Sequence, residues 1–312
     1  MLRKRICFPA TNHRLLPYPA RPPVSLMTIS DHLFTLKYIF MQTQLPLRQW
    51  LAIGACCLLL SCQKDIVQDD EQRVLSQAAL KATAAGQVNT FKGPQVTVGH
   101  GKARSWISVN HEGMPIEIGI ELTSKAVESL SEHDMFDEHI PFALPLHQKA
   151  MGLTPFEHIV VDWNPHGHPP ASIFTVPHFD FHFYMIPEEE QLAIPPYPLA
   201  PAQHDLLPPT GYMPASYFPD PGGVPQMGKH WGNRSVAPGT FTHTMTLGSY
   251  NGEVTFVEPM VTVQGLETQV LNIPYAQPAI YQEHGVWYPT QYNIYKIGDK
   301  YYVSLSNFVW SD

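Results

Sequence analysis

Apolar and polar residues alternate along several short segments of this chain, and a period of two is typical of β-strands with one buried face. The clearest segment is 177–186, PHFDFHFYMI, in which phenylalanines alternate with histidines and an aspartate. Two alternating runs, 104–110 and 115–121, flank a turn that contains glycine and therefore predict a hairpin. Further strands are predicted at 158–163, 239–247, 253–263, 286–296 and 300–310.

Helices are predicted to be few and short, for example at 123–134 and 145–151. The segment 191–225 holds ten prolines in 35 positions, and no central strand tolerates that many residues without an N–H group. Its aromatic residues favour a loop that packs against the body over a free linker. The pattern as a whole predicts a mainly β fold: a single antiparallel sandwich- or barrel-like domain with few short helices and a long Pro-rich loop.

Composition separates the N-terminal part from the rest. Residues 1–61 contain seven of the nineteen lysines and arginines and one acidic residue, Asp31, whereas residues 62–312 have a formal net charge of −14. An acidic body repels nucleic-acid phosphates, so a nucleic-acid partner is excluded. All four cysteines lie at or before Cys62, which excludes a disulfide framework or a cysteine-based zinc site in the body.

The apolar run 50–60, WLAIGACCLLL, follows Arg48 and has the length of the hydrophobic core of a signal peptide. It is too short to span a bilayer, which needs about 20 residues. The run leads into Leu-Leu-Ser-Cys62, which resembles a bacterial lipobox. The resemblance implies that Cys62 receives a diacylglycerol group and that the chain is cleaved before it.

The domain organisation follows from this segment. Residues 41–61 form the lipoprotein signal peptide, 62–92 a tether or linker, and 93–312 the mainly β domain. Residues 1–40 are interpreted as a mis-assigned start or a disordered leader. The predicted location is the cell envelope, periplasmic or surface-exposed, with the membrane as partner through the lipid anchor; the choice between inner and outer membrane stays open.

Candidate chemistry is concentrated in the histidines, of which fourteen of sixteen follow residue 62. Side chains on a strand alternate between its faces, so His178, Asp180 and His182 share one face. The three phenylalanines at 179, 181 and 183 share the other. We therefore expect the phenylalanines to pack into the core and the three polar side chains to line a cavity.

Strand geometry limits how these residues can bind a metal. Positions i and i+2 are about 6.6 Å apart at Cα, but i and i+4 are about 13 Å apart. His178 and His182 therefore cannot easily share an ion unless the strand is bulged or strongly coiled. Either one of them pairs with Asp180 at an ion, or Asp180 orients a ligating histidine. The candidate metal ligands are His178, Asp180, His182, His230 and Glu258, and the residues predicted at the rim of the site are His166, His168 and His243.

Nitrogen and oxygen ligands together suit a divalent Zn, Mn, Fe or Cu ion, and the sequence does not choose among them. No phosphate-binding loop, HExxH motif or nucleophile elbow identifies a reaction, so the catalytic residues are unknown. Two functions stay open. One is a metal-dependent enzyme of unknown reaction, and the other is a non-catalytic ligand-binding or interaction lipoprotein whose His/Asp cluster is structural. A small-molecule ligand is compatible with both.

Three blocks of sequence, VVDWNPHGHPP…VPHFDFHFYMIP, GKHWG and FTHTMTLGSYNGEVTFVEPMV, resemble a family of uncharacterised bacterial envelope proteins with a TTHB-type domain of unknown function. The resemblance covers residues 95–270 and implies the boundaries of the site but no activity. The histidine-bearing strand also resembles those of cupins and α-type carbonic anhydrases. Because the remaining motifs of both are missing, neither activity is transferred.

Overall fold

The computed structural model describes residues 88–131 and 139–312, and within them the chain is mainly β, as predicted. The five short helices are α1 (Ser124–Ser131), α2 (Gln148–Met151), α3 (Glu188–Leu192), α4 (Pro201–Asp205) and α5 (Val263–Leu266), with a 3₁₀ turn at Tyr197–Leu199. The strands in chain order are β1 (Asn89–Lys92), β2 (Val96–Val98), β3 (Gly101–Val109), β4 (Pro115–Thr123), β5 (Ile140–Pro145), β6 (His158–Asn164), β7 (His178–Tyr184), β8 (Phe218–Pro219), β9 (Lys229–Gly232), β10 (His243–Tyr250), β11 (Glu253–Thr262), β12 (Val270–Pro274), β13 (Trp287–Ile297) and β14 (Lys300–Trp310).

The strands form two antiparallel sheets of seven strands each. Sheet A has the order β1-β3-β4-β14-β13-β12, with β2 beside β3, and sheet B has the order β5-β6-β7-β11-β10-β9-β8. The predicted hairpins at 104–121 and 286–310 are confirmed as β3–β4 and β13–β14. Glycines with positive φ, Gly113 and Gly298, occupy their turns, where a side chain on Cβ would be strained.

The inner faces of the two sheets share one hydrophobic core, which makes the fold a β-sandwich rather than a barrel. Phe179, Phe181 and Phe183 of β7 are fully buried in this core, together with residues such as Ile118 and Leu305 of sheet A. Burial of a phenylalanine side chain contributes about 1.5–3 kcal/mol. The predicted packing of the phenylalanine face is therefore confirmed, and it fixes which face of β7 the histidines occupy.

The Pro-rich loop covers part of the outer face of sheet B. A second, smaller cluster joins Ile194 of the loop to Tyr184 and Phe256 of the sheet. The Tyr184 hydroxyl and the Gln191 amide both donate to the carbonyl of Gln226, at 3.2 and 2.7 Å. The loop is thus an ordered cover over the part of the outer face around Tyr184 and Phe256.

Several short strands were not predicted by the alternation pattern. β5, IPFALP, lies at the edge of sheet B, where the missing N–H groups of its prolines break no ladder on the outer side. β1 pairs with β3, although its residues lie within the segment assigned to the tether. β10 begins at His243, four residues later than predicted, and α1 begins after Thr123, whose Oγ1 accepts a hydrogen bond from the Ala126 amide.

The signal peptide, Cys62 and most of the tether lie outside the described residues. Within 88–131 and 139–312, no helix combines the length and the apolar character needed to cross a membrane.

Candidate metal centre

The outer face of sheet B presents a row of buried polar side chains at its centre. His178, Asp180 and His182 point to this face from β7, and each is at most 3% exposed. The neighbouring strand β6 adds Asp162 and Asn164, which lie directly opposite Asp180 and His178 respectively. The face of β7 that was predicted to line a cavity is therefore part of a buried polar cluster at the centre of the outer face of sheet B.

Asp162 and Asp180 form a cross-strand pair of like charges, an arrangement that destabilises a sheet unless the charges are compensated. Each aspartate has its own histidine partner. The Nε2 atom of His139 contacts Asp162 Oδ1, and the Nε2 atom of His168 lies 3.2 Å from Asp180 Oδ2. In the described residues, no lysine or arginine pairs with either aspartate, so positive charge reaches them only from histidine or from a bound cation.

A first group of possible metal ligands consists of His168, His178 and Asp180. His178 Nε2 lies 3.2 Å from Asp180 Oδ1, and Asn164 donates to Asp180 Oδ2 at 2.7 Å. The Nδ1 atoms of both histidines lie within hydrogen-bond distance of backbone carbonyls, those of Val176 and Pro169. When Nδ1 donates its proton to a carbonyl, Nε2 has a free lone pair, which is the usual state of a metal-binding histidine.

A second group consists of His182, His230 and Glu258, whose ligand atoms lie within 4.8 Å of one another. His182 Nε2 is 3.4 Å from Glu258 Oε1, and His230 Nε2 is 3.8 Å from Glu258 Oε2. The sheet brings these residues together from β7, β9 and β11. Thr246 of β10 lies opposite Glu258, and Gly248, two residues further on, lies opposite His230, so the two side chains meet diagonally across β10.

The three carboxyl groups differ in their electrostatic environment. Burial alone would raise the pKa of Asp162, but its contacts with His139 and His182 outweigh burial and lower that pKa. Asp180 behaves in the same way, because contacts with His168 and His178 lower its pKa despite complete burial. Burial, followed by repulsion from Asp180 and Asp162, instead raises the pKa of Glu258 well above its ordinary value.

The histidines of the cluster also differ in the direction in which their pKa values are shifted. The contact with Asp162 raises the pKa of His139. Burial opposes protonation of His168, but the contact with Asp180 outweighs it and raises the pKa of His168. Burial, reinforced by His182 and His168, lowers the pKa of His230 to about 3. His230 is therefore neutral at pH 7 and has a lone pair available for a metal.

Many polar atoms of the cluster have no hydrogen-bond partner. Burying such atoms without a partner costs about 1–3 kcal/mol each, and more when they are charged, so native proteins rarely do so. His182 Nδ1 lies only 2.8 Å from Asp162 Oδ2, so these two atoms are in contact with each other. Besides this pair, the buried atoms without a hydrogen-bond partner are His178 Nε2, Asp180 Oδ1, His182 Nε2, and Glu258 Oε1 and Oε2.

The structure brings all five predicted ligands to this face of sheet B, but in two groups rather than one. His168, predicted at the rim, lies within the first group. His166 is exposed in the segment between β6 and β7. His243 is not brought to the cluster: its register opposite Val261 directs it to the inner face of sheet B, and its Nδ1 lies 2.8 Å from the Tyr292 hydroxyl.

Three further residues of the cluster did not emerge from the sequence: Asp162, Asn164 and His139. The first two had a detectable signal, because β6 reads HIVVDWN and its polar residues share the period of two seen in β7. The apolar character of the strand obscured that alternation. His139 precedes the edge strand β5, and only the tertiary fold brings it to Asp162.

Replacement of Asp162 with asparagine should weaken metal binding at the second group by about 10–100-fold, the usual effect of removing a carboxylate that orients a ligating histidine. The substitution keeps the shape of the side chain but removes the charge beside His182 Nδ1. The affinity for Zn²⁺ would be measured by competition with a chromophoric chelator. A His243→Ala variant serves as the control, and an unchanged affinity in Asp162→Asn would contradict an orienting role.

Comparison of the chain with protein-family models, with curated proteins and with solved structures gives no match. The resemblance to the TTHB-type domain therefore stays a prediction, and the function of the site is inferred from its geometry.

Proposed function

We propose that this protein binds a divalent transition metal through the histidines and carboxylates on the outer face of sheet B. The observation that supports this most directly is the set of buried ring nitrogens and carboxylate oxygens without hydrogen-bond partners. A bound cation accepts lone pairs from atoms of this kind and so satisfies them. It would also neutralise the opposed pair Asp162 and Asp180.

A purely structural polar network is the competing interpretation. Such a network satisfies its own donors and acceptors, as Asn164 does for one oxygen of Asp180. Glu258 does not fit this pattern, because both of its oxygens are buried and neither has a hydrogen-bond donor. The second group therefore favours a bound ion over a self-contained network.

Elemental analysis of the purified full-length chain tests the proposal. We expect a divalent metal in stoichiometric amount, and a large loss of that metal in a His182→Ala variant. The matched control is His243→Ala, which removes a histidine from the opposite face of the same sheet. Absence of bound metal after loading with Zn²⁺, Mn²⁺, Fe²⁺ or Cu²⁺ would leave the structural network as the explanation.

Metal affinity should fall on acidification, by up to about tenfold per pH unit for each proton that the metal must displace. The direction of this pH dependence follows from the protonation of two ligands. Burial raises the pKa of Glu258, and the contact with Asp180 raises the pKa of His168 against the opposing effect of burial. Both groups hold protons that compete with the ion. Calorimetric titration in buffers of different ionisation enthalpy would measure the released protons, and a pH-independent affinity would contradict the prediction.

We further propose that the protein is a lipid-anchored protein of the bacterial cell envelope. The support is the order of features in the sequence: a basic residue, an eleven-residue apolar run and Cys62 after a serine. Labelling of cells with radioactive palmitate should mark the chain, and a Cys62→Ser variant should lose the label. Label that persists in that variant would exclude lipidation at Cys62.

A metal-dependent enzyme is the second candidate function. Each group supplies three protein ligands, and catalytic zinc sites use three protein ligands and leave a fourth position for substrate or water. An ion in such a site polarises a substrate oxygen or acidifies water. Each group has one ligand that solvent can reach. The side chain of His168 in the first group is 32% exposed, and that of His230 in the second is 17% exposed.

An open coordination position can be detected without knowledge of the substrate. The protein would be loaded with Co²⁺, and its visible spectrum recorded as azide is added. A spectral change that saturates with azide would support an accessible fourth position and hence catalysis. A spectrum that azide does not alter would favour a closed ion and a non-catalytic ligand-binding or interaction protein.

A further inference from the structure

We infer that the cluster is a two-ion centre, with one ion held by His168, His178 and Asp180 and a second by His182, His230 and Glu258. This inference deepens the proposed metal binding and depends on it. It differs in predicting two separate sites on one face of the sheet, each complete in itself.

The reach of the side chains separates the two sites. Within each group the ligand atoms lie within 4.8 Å of one another, and the two groups have no member in common. His178 and His182 belong to the same extended strand four positions apart, which places their Cα atoms about 13 Å from each other. A single ion cannot bind both histidines. Asp180 and His182 are adjacent on the face, so the two ions would be neighbours.

Both groups contain buried ring nitrogens and carboxylate oxygens that have no hydrogen-bond partner. In the first group these are His178 Nε2 and Asp180 Oδ1, on residues that are 0% and 3% exposed. In the second they are His182 Nε2 and both oxygens of Glu258, on residues that are 0% and 1% exposed. An ion in either site would leave the atoms of the other unsatisfied. One ion therefore explains only the orphaned atoms of its own group.

The neighbouring contacts prepare each site independently. In the first, the backbone carbonyls of Val176 and Pro169 fix the histidine rings, and Asn164 holds one oxygen of Asp180. In the second, Asp162 lies against Nδ1 of His182 on the side away from Glu258, and His139 contacts Asp162 from the surface. Outer-shell groups of this kind orient ligands in known metal sites. Their presence at both groups points to two ions rather than one.

The charge of the cluster allows two divalent ions to lie close together. Three buried carboxylates, Asp162, Asp180 and Glu258, lie on this face, and their described ion-pair partners are all histidines. Each ion would have at least one carboxylate ligand. Asp162, beside His182, adds a negative charge next to the second site and reduces the repulsion between the ions.

Metal stoichiometry tests the inference. The full-length protein would be purified without a histidine tag, stripped with a chelator and titrated with Zn²⁺ alone by calorimetry, with elemental analysis after gel filtration. We expect two ions per chain. His168→Ala and His230→Ala should each retain one, and the double variant should retain none. These two histidines are the most solvent-accessible ligands of their groups, and circular dichroism would verify folding.

Each result distinguishes the inference from the proposal beneath it. One ion per chain in the unchanged protein would overturn the two-ion centre and leave metal binding intact, whereas no ion would overturn both. Two ions in either single variant would show that the assigned ligands are wrong. His243→Ala is the control and should keep both ions. Titration of the unchanged protein with Co²⁺, which needs no variant, should give two successive spectral changes.

Discussion

A Glu258→Gln variant should be more stable than the unchanged protein without metal and less stable than it with metal. Glu258 is 1% exposed, and burial followed by repulsion from Asp180 and Asp162 raises its pKa. Without an ion, the carboxyl group avoids a buried charge only by holding a proton. Glutamine has a similar shape, carries no charge, and can donate to the nearby ring nitrogens of His182 and His230.

The expected size of the effect follows from proton linkage. The unfolded carboxyl titrates near 4.5, so keeping it protonated in the folded state at pH 7 costs up to about 3 kcal/mol, at 1.36 kcal/mol per pH unit. Because the folded pKa is raised, this loss of stability is absent below the unfolded value and grows as pH rises. The metal-free variant should therefore gain its advantage progressively above about pH 4.5.

Metal reverses the order of stability. An ion that binds only the folded protein stabilises it by about 4 kcal/mol at a thousandfold excess over its dissociation constant. A neutral amide is a poor ligand, so most of this stabilisation at the second group should be lost in Glu258→Gln. Urea unfolding with chelator and with Zn²⁺ would measure both differences. A variant that is several kcal/mol less stable than the unchanged protein under both conditions would show that Glu258 has a structural partner instead.

Local pattern was sufficient to predict the fold class and the β7 face. The period of two in PHFDFHFYMI separates phenylalanines from ligands whatever the rest of the fold, because successive side chains on a strand point to opposite faces. The density of prolines in 191–225 similarly excluded a central strand. Neither inference required knowledge of which strands are neighbours.

Strand order could not be predicted in this way, and the composition of the site depends on it. β7 lies between β6 and β11, so Asp162 meets Asp180 from one side and Glu258 approaches His182 from the other. His243 is a histidine like several of the ligands, but the register of β10 places its side chain on the inner face of the sheet. Register decides such cases, since a shift of one position moves a side chain to the opposite face of the sheet.

The two faces of β7 also explain how the sheet tolerates so many buried polar groups. Burial of the three phenylalanines on the inner face contributes about 5–9 kcal/mol, at about 1.5–3 kcal/mol each. That gain opposes the cost of the unpartnered atoms on the outer face, which is about 1–3 kcal/mol per atom. Burial of the phenylalanine face therefore holds β7 in register. The polar side chains on the other face are kept in positions that their own contacts would not maintain.

Replacement of Phe181 with alanine should accordingly lower the free energy of unfolding by about 3–5 kcal/mol, the usual range for a phenylalanine removed from a packed core. Phe181 is fully buried, lies opposite Val161 and packs beside Phe179 with a ring-centroid distance of 6.0 Å. Phe218→Ala is the matched control: the same change at a side chain that is 44% exposed should cost less than about 1 kcal/mol. Both would be measured by urea unfolding in the presence of a chelator, so that metal does not contribute. If Phe181→Ala cost no more than Phe218→Ala, the phenylalanine face would not be what holds β7 in place, and the position of the metal ligands would need another cause.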